Sequence, residues 1–191
     1  MSHMSYDRLM AVDREDVLRS AAGLLMRKSA ATMDEVARAA GISRATLNRQ
    51  FAGREALVRA LEDLGIAECE AAVVRAAIDD GSAADAVRRL VGELEPAAGL
   101  LAFLYSENQL FEGDEQNTGW AQLDARLVGL FRRGQEAGEL RIDLSPVWLT
   151  ESLYGLLVSA AWAISEGRVA PKDFTTNITE LLLGGAVRRQ P

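Results

Sequence analysis

Histidine is nearly absent from this 191-residue sequence: His3 is the one copy, and it sits in Met1-Ser2-His3-Met4, which reads as a cloning remnant ahead of the natural start. A chain without further histidine lacks the commonest general base and metal ligand, so catalysis would fall to carboxylates or a thiol. The carboxylate pairs on offer, Asp79-Asp80 and Asp114-Glu115, adjoin Gly81 and Gly113 in expected loops, where solvated charge is the ordinary explanation. Cysteine is equally scarce. Cys69 stands alone in a helical stretch, cannot close an internal disulfide, and reads as a structural thiol in a reducing cytoplasm. There is no Gly-rich phosphate loop, paired-cysteine spacing or nucleophile elbow. Long apolar runs are missing too: the most apolar stretch, Leu153 to Ile164, is interrupted by Tyr, Gly and Ser and is too short to span a bilayer. These gaps lead to the expectation of no enzyme, no metal or cofactor, and no membrane anchor.

What is present suits one or two folded domains, since 49% of the residues are hydrophobic. Charge is unevenly shared. Residues 5–64 hold ten Lys and Arg against nine Asp and Glu, whereas residues 65–191 hold eleven against nineteen. Within the first segment the run from Val36 to Arg54 carries four arginines and no carboxylate. A basic stretch in an acidic chain (net charge −7) marks a candidate contact for nucleic acid, and an acidic body helps keep a phosphate backbone away from itself.

The basic stretch has the pattern of two short helices hinged at a glycine. Thr32 followed by Glu35 is a capping box, and Val36, Ala37 and Ala40 give the first helix its apolar stripe. Gly41 supplies the permissive backbone that ends a helix, and Ile42 is expected to plug the core. Ser43 is an N-cap for the second helix. With Leu47 at the centre of the buried face, a turn of about 100° per residue sets Phe51 beside it and Ala45 and Arg49 opposite, with Thr46 and Asn48 flanking. An outer row of Ala, Thr, Asn and Arg suits the major groove, where Arg forks onto guanine, Asn onto adenine and a methyl meets thymine. Thr32, Arg44, Ala45, Thr46, Asn48, Arg49, Gln50 and Arg54 are the candidate DNA-binding residues, with Thr46, Arg54 and the helix N-termini assigned to phosphate.

In order and without a gap, a helix from about Arg14 to Lys28, the Thr32-led helix, Ala39-Ala40-Gly41-Ile42-Ser43, Arg44-Ala45-Thr46-Leu47, and Phe51 to Leu57 follow one another. Over roughly residues 12 to 64 this resembles the N-terminal domain of TetR-family transcriptional regulators. Asn48 stands where that family usually has tyrosine and Gln50 where it often has histidine. Loss of the aromatic hydroxyl removes a common phosphate contact, and the two amides are expected to alter operator preference.

Beyond this region the period is helical throughout, without internal repeat or low-complexity tract. Apolar positions from Leu57 to Ile78 predict a long exit helix from Gly53 to Asp80-Gly81. Ser82 caps a helix from Ala83 to about Leu94, Pro96 opens one through about Tyr105, and a polar loop spans Ser106 to Gly119. Helices from Trp120 to Gly138, Ser145-Pro146 to about Glu166, and Pro171 to about Arg188 complete the chain. The expected fold is all-α: residues 5–64 form a three-helix helix-turn-helix domain, and residues 65–191 form a body of about six helices.

The last two helices are apolar over much of their circumference and carry small residues that permit close helix approach, so either intrachain packing or a second subunit must cover them. The resemblance implies the latter, a homodimer joined as a four-helix bundle, with Gly155, Ser159, Trp162, Ala163, Leu181 and Gly184 as interface candidates. It also implies a small-molecule effector, for which Phe103, Phe111, Trp120, Phe131, Trp148 and Tyr154 are candidate contacts, although aromatics of this kind more often build core. Glu107, Glu112, Asp114 and Glu115 favour a cationic amphiphile as that effector. A dimeric, ligand-released repressor on a palindromic operator is the leading function. A helical ligand-binding or adaptor protein without sequence-specific DNA binding is the runner-up, and an enzyme on the same scaffold comes last.

Overall fold

The computed structural model describes residues 13–107 and 118–187. It has α1 (Arg14–Leu25), α2 (Met33–Ala39), α3 (Arg44–Gln50), α4 (Arg54–Arg75), α5 (Ala83–Leu94), α6 (Ala98–Ser106), α7 (Thr118–Glu136), α8 (Pro146–Ser165) and α9 (Phe174–Ala186). The all-α class expected from the periodicity is the one the chain adopts. The chain divides into two compact units, Met1–Glu62 and Asp63–Pro191, and α4 contributes residues to both.

Helix starts follow side-chain chemistry. Asp13, Thr32, Ser43, Ser82 and Ser145 each accept a backbone N–H from the first turn of the helix they precede, satisfying donors that a helix leaves unpaired. In the first unit, Val17, Leu18, Ala21 and Leu25 of α1, Val36 and Ala37 of α2, Leu47 of α3 and Leu57, Val58 and Leu61 of α4 are buried. Their 3.6-residue spacing on each helix is what turns one stripe inward.

The second unit is built on a larger apolar core with Val87, Leu90 and Val91 of α5, Leu127 and Phe131 of α7, Leu153 and Leu157 of α8 and Phe174, Ile178 and Leu182 of α9. At Gly134 of α7 neighbouring side chains fill the space of a side chain: a Cβ there would lie 2.6 Å from the Ala83 Cβ and 2.7 Å from Leu140 Cδ1. Glu139 then reaches back to accept the N–H of Ala83 at 2.7 Å, capping α5 from a distance. The buried hydroxyls of Thr150 and Thr179 donate to Pro146 O (3.0 Å) and Thr175 O (2.8 Å), so neither is orphaned.

Several boundaries differ from the sequence expectation. α1 ends at Leu25 rather than near Lys28. Pro96 and Pro171 sit in single 3-10 turns, Glu95–Ala97 and Pro171–Asp173, and α6 and α9 begin only after them. The polar loop expected from Ser106 to Gly119 falls mostly outside the described residues, and the last helix, expected to end near Arg188, ends at Ala186 where Val187 turns extended. The largest shift is in α4, expected to reach Asp80 but ending at Arg75. The apolar period continues through Ile78, which is buried, so the pattern gives no stop signal. The stop is made by distant side chains. Arg89 donates to Ala76 O (2.7 Å), Ala77 O (3.0 Å) and Asp80 O (2.7 Å), and Arg133 donates to Ile78 O (2.7 Å) and Asp79 O. Two guanidinium groups thus converge on the carbonyls of the turn that follows α4, where Ala77 O also accepts the N–H of Asp80 at 2.9 Å.

This clamp holds Ala77 at φ +43°, a left-handed conformation for a residue with a Cβ. Such a conformation costs about 1–2 kcal/mol, whereas glycine's looser unfolded chain costs about 0.4–1 kcal/mol. Ala77 is exposed, so its methyl group contributes little packing. Ala77→Gly is expected to stabilise the chain by about 0.5–1 kcal/mol in denaturant unfolding; a loss of stability would show that the strain is not there to relieve.

Candidate nucleic-acid interface

The α2–turn–α3 segment is assembled by local bonds that its sequence specifies. The Thr32 hydroxyl accepts the N–H of Glu35 at 3.3 Å, and Glu35 accepts the N–H of Thr32 at 2.8 Å, completing the capping box. Lys28 donates to the other Glu35 oxygen at 2.6 Å. These bonds, the Lys28 one foremost, hold the Glu35 carboxyl down at about 2. At the far end of α2, Gly41 at φ +66° lets Ile42 N–H reach Ala37 O at 3.0 Å, tying off the helix. Ile42 itself is only half-buried, a cover to the core and not the plug expected of it.

Ser43 then caps α3, accepting the Thr46 N–H at 3.0 Å, and the two hydroxyls lie 2.9 Å apart. α3 has seven residues. Leu47 and Phe51 are buried, Ala45, Asn48 and Arg49 are exposed, and Thr46 is half-buried between them. The 100° rotation per residue therefore sorts the segment into an anchored face and an outward row. Arg14 stacks over the Phe51 ring at 4.8 Å, closing the anchored side. The outward row can donate through Arg49, donate and accept through Asn48, and offer the Ala45 methyl. That is the chemistry needed to read base edges in a major groove.

Two of the sequence-predicted residues, Arg54 and Thr32, are bonded within the fold, and a third, Gln50, turns away from the outward row. Arg54, expected at phosphate, donates to Ala31 O (3.1 Å) and Ser29 O (2.7 Å) and so fastens the α1–α2 turn to the start of α4. Gln50 is half-buried with its side-chain oxygen turned inward and unpartnered, away from the outward row. The Thr32 hydroxyl is committed to the cap of α2. Arg44 remains exposed, paired with Asp34 at 3.0 Å. The Arg54 and Asp34 contacts join residues 23–25 and ten positions apart, with no local pattern to announce them.

The described effector candidates divide between the core, its margin and the outer surface. Phe103 and Phe131 are buried, and Phe131 lies inside the body core. Trp120 and Tyr154 pack against the margin of that core, where Tyr154 donates its hydroxyl to Asp124 at 2.8 Å. Burial, then the Asp124 carboxylate, pushes the Tyr154 phenol well above its ordinary range, so it stays protonated. Burial likewise pushes the Cys69 thiol up to about 12, as suits a structural cysteine. Phe111, Glu112, Asp114 and Glu115 lie outside the described residues. Trp148 is 60% exposed, which removes it from any interior pocket. Its spacing explains why: Trp148, Gly155, Ser159 and Trp162 share one side of α8, and that side faces outward.

The interface candidates follow the same stripe. Trp162 is 57% and Leu181 66% exposed, Ser159 and Gly184 are exposed, and Gly155 and Ala163 are half-buried. A Cβ at Gly155 or Gly184 would meet nothing within 4 Å. α8 as a whole exceeds the short apolar run expected from the sequence: by length and composition it is able to cross a membrane, with mean hydropathy 1.3 over its most apolar window. Its opposite side packs on α6, α7 and α9.

Residues 17–61 match the family model described as bacterial regulatory proteins, tetR family. Over 174 residues the chain is 29% identical to the HTH-type transcriptional regulator NfxB of Pseudomonas aeruginosa, covering 90% of this chain and 93% of that protein. Among solved structures, the TetR-like transcriptional regulator LfrR of Mycobacterium smegmatis in complex with proflavine superposes with a TM-score of 0.76 at 23% identity, covering 92% of this chain and 97% of that one. The TetR-family regulator PfmR of Thermus thermophilus gives 0.70 at 21% identity, covering 92% and 100%. The two structures show a shared fold.

Two outcomes follow from the bonds around the reader. Arg54→Lys keeps the charge but loses the fork, so it is expected to lower the chain's stability by about 1–3 kcal/mol while leaving the salt dependence of DNA binding unchanged. A shallower salt dependence would return Arg54 to phosphate. Glu35, lowered in the folded state, contributes stability that is present above its unfolded value of 4.5 and lost as pH falls through about 2. Thermal unfolding of Glu35→Gln should therefore fall below wild type at pH 6 and converge with it near pH 2; a gap that does not narrow on acidification would contradict this.

Proposed function

We propose that this chain, a member of the TetR family of transcriptional regulators, is a ligand-responsive repressor that binds a palindromic operator as a homodimer and leaves it when a small molecule binds. The observation that carries the DNA-reading part is the outward row Ala45, Asn48 and Arg49, held on a capped helix whose opposite face, Leu47 and Phe51, is buried. Arg49 forks a guanine, Asn48 meets adenine or phosphate, Ala45 touches a thymine methyl, and Thr46 and Arg44 hold the backbone. With Asn48 in place of the more usual tyrosine, the operator differs from those of tyrosine-bearing relatives.

The dimer reading is supported by the outward stripe of α8, Trp148, Gly155, Ser159 and Trp162, beside Leu181 and Gly184 of α9. A helix with the hydropathy of α8 needs that side covered, and small residues let a second copy approach closely. Twofold pairing sets two reader helices about 34–36 Å apart, one turn of duplex, on an inverted repeat. The effector works through unequal affinity for two states of the dimer, one matched to that spacing and one not. It is contacted at the margin of the body core, where Trp120 and Tyr154 lie. The protein works in the cytoplasm, on the nucleoid when DNA-bound.

Selection of bound duplexes from a random pool, with and without cell extract, tests the whole reading at once. The expected result is an inverted repeat that is lost when extract supplies the ligand. Recovery of no common sequence would instead favour the helical ligand-binding protein without specific DNA recognition. On the recovered site, Arg49→Ala is expected to cost about 1–3 kcal/mol and to relax one position per half-site; an unaltered preference would exclude base reading by Arg49. Proflavine, found with LfrR, is the first compound to titrate against tryptophan fluorescence in the absence of DNA.

A further inference from the structure

The geometry points to Asp34 as a specificity-determining residue that acts through Arg44: it holds one limb of the Arg44 fork and so limits the grip of the reader on DNA of any sequence. This rests on the DNA-reading part of the proposed function and on nothing about dimer or effector.

Arg44 is the first residue of α3 and Asp34 the second of α2, so the pair bridges the two helices of the reading motif across the glycine turn. Nη1 of Arg44 donates to Oδ2 of Asp34 at 3.0 Å, and both side chains are exposed. Between Val36 and Arg54 the chain carries Arg38, Arg44, Arg49 and Arg54 and no carboxylate. Arg54 is spent on the backbone oxygens of Ser29 and Ala31. Arg44 and Arg49 are then the cations of α3 itself, and of these Arg44 is the one tied to a carboxylate.

A guanidinium offers five N–H donors in a fixed fork. With one limb on Asp34, Arg44 keeps donors for a partner in one defined direction but loses the freedom to swing onto whichever phosphate is near. The carboxylate also offsets the charge that attracts any duplex. Both effects weaken sequence-independent contact more than a register in which Arg44 already points correctly. Discrimination of this kind is built by penalising the wrong complex. Helix α2 does not need the charge for its cap, which Thr32 and Glu35 supply.

Asp34→Asn, nearly the same shape without the charge, tests this in the full chain. The probes are a random-sequence duplex and the operator recovered by selection, each titrated over a salt series, with Arg44→Gln and the double variant alongside. The expected result for Asp34→Asn is about a three- to tenfold tighter grip on random duplex at low salt, a smaller change on operator, and a salt slope on random duplex steeper by about 0.9. In the Arg44→Gln background the effect of Asp34→Asn should largely vanish. An unchanged ratio of operator to random affinity would overturn the inference, and so would an equal effect with Arg44 already removed. A wild-type chain that binds no duplex would overturn both this inference and the DNA-reading function, whereas wild-type binding with an inert Asp34→Asn would overturn this inference alone. Thermal unfolding of each variant separates lost folding from altered binding.

Discussion

Burial of Leu47 and Phe51 under a helix of only seven residues is the contact on which the proposed DNA-reading face depends. Two turns of helix do not hold themselves together in water, because nucleation costs more than so few hydrogen bonds return. Each buried side chain contributes about 1.5–3 kcal/mol, and the Ser43 cap adds about 1 kcal/mol. With that face fixed inward, the pitch of the helix leaves Ala45, Asn48 and Arg49 no direction but out. Function here is the complement of packing: the residues free to touch a partner are those the core does not use.

Arginine does much of the remaining work, and much of it lies inside the fold. Arg54 closes the α1–α2 turn, while Arg89 and Arg133 satisfy the carbonyls around the end of α4. In each case a planar fork meets backbone oxygens. The clamp on residues 76–80 also explains how Ala77 is kept in a left-handed conformation where glycine would ordinarily serve. In the body, one side of α8 is consumed by core packing and the other presents Trp148 and Trp162 to solvent. That outward stripe is the feature a second subunit would bury.

Local chemistry is legible in the sequence where it is short-range. Thr32 with Glu35, Gly41, Ser43, Ser82 and Ser145 announce helix ends because cap and capped donor lie within a few residues. The inward position of Leu47 and Phe51 and the outward position of Arg49 follow from period alone. What escapes such reading depends on distant partners. The end of α4 is set by arginines nine or more positions away, and the role of Arg54 by carbonyls 23 and 25 residues before it. Trp148 is a different case, because the signal is there in the period it shares with Gly155, Ser159 and Trp162, which places it on the outer stripe and not among pocket residues. Phe131, assigned to a pocket by its aromatic ring, lies in the core for the same reason most aromatics do.

The most direct test of the account is guanine-methylation interference on the selected operator, because a methyl at N7 obstructs the major groove and leaves the minor groove open. Two patches of interference on one face of the duplex, about 34–36 Å apart and related by the dyad of the site, are the predicted result. A single patch, or binding that tolerates methylation at every guanine, would contradict a paired major-groove reader.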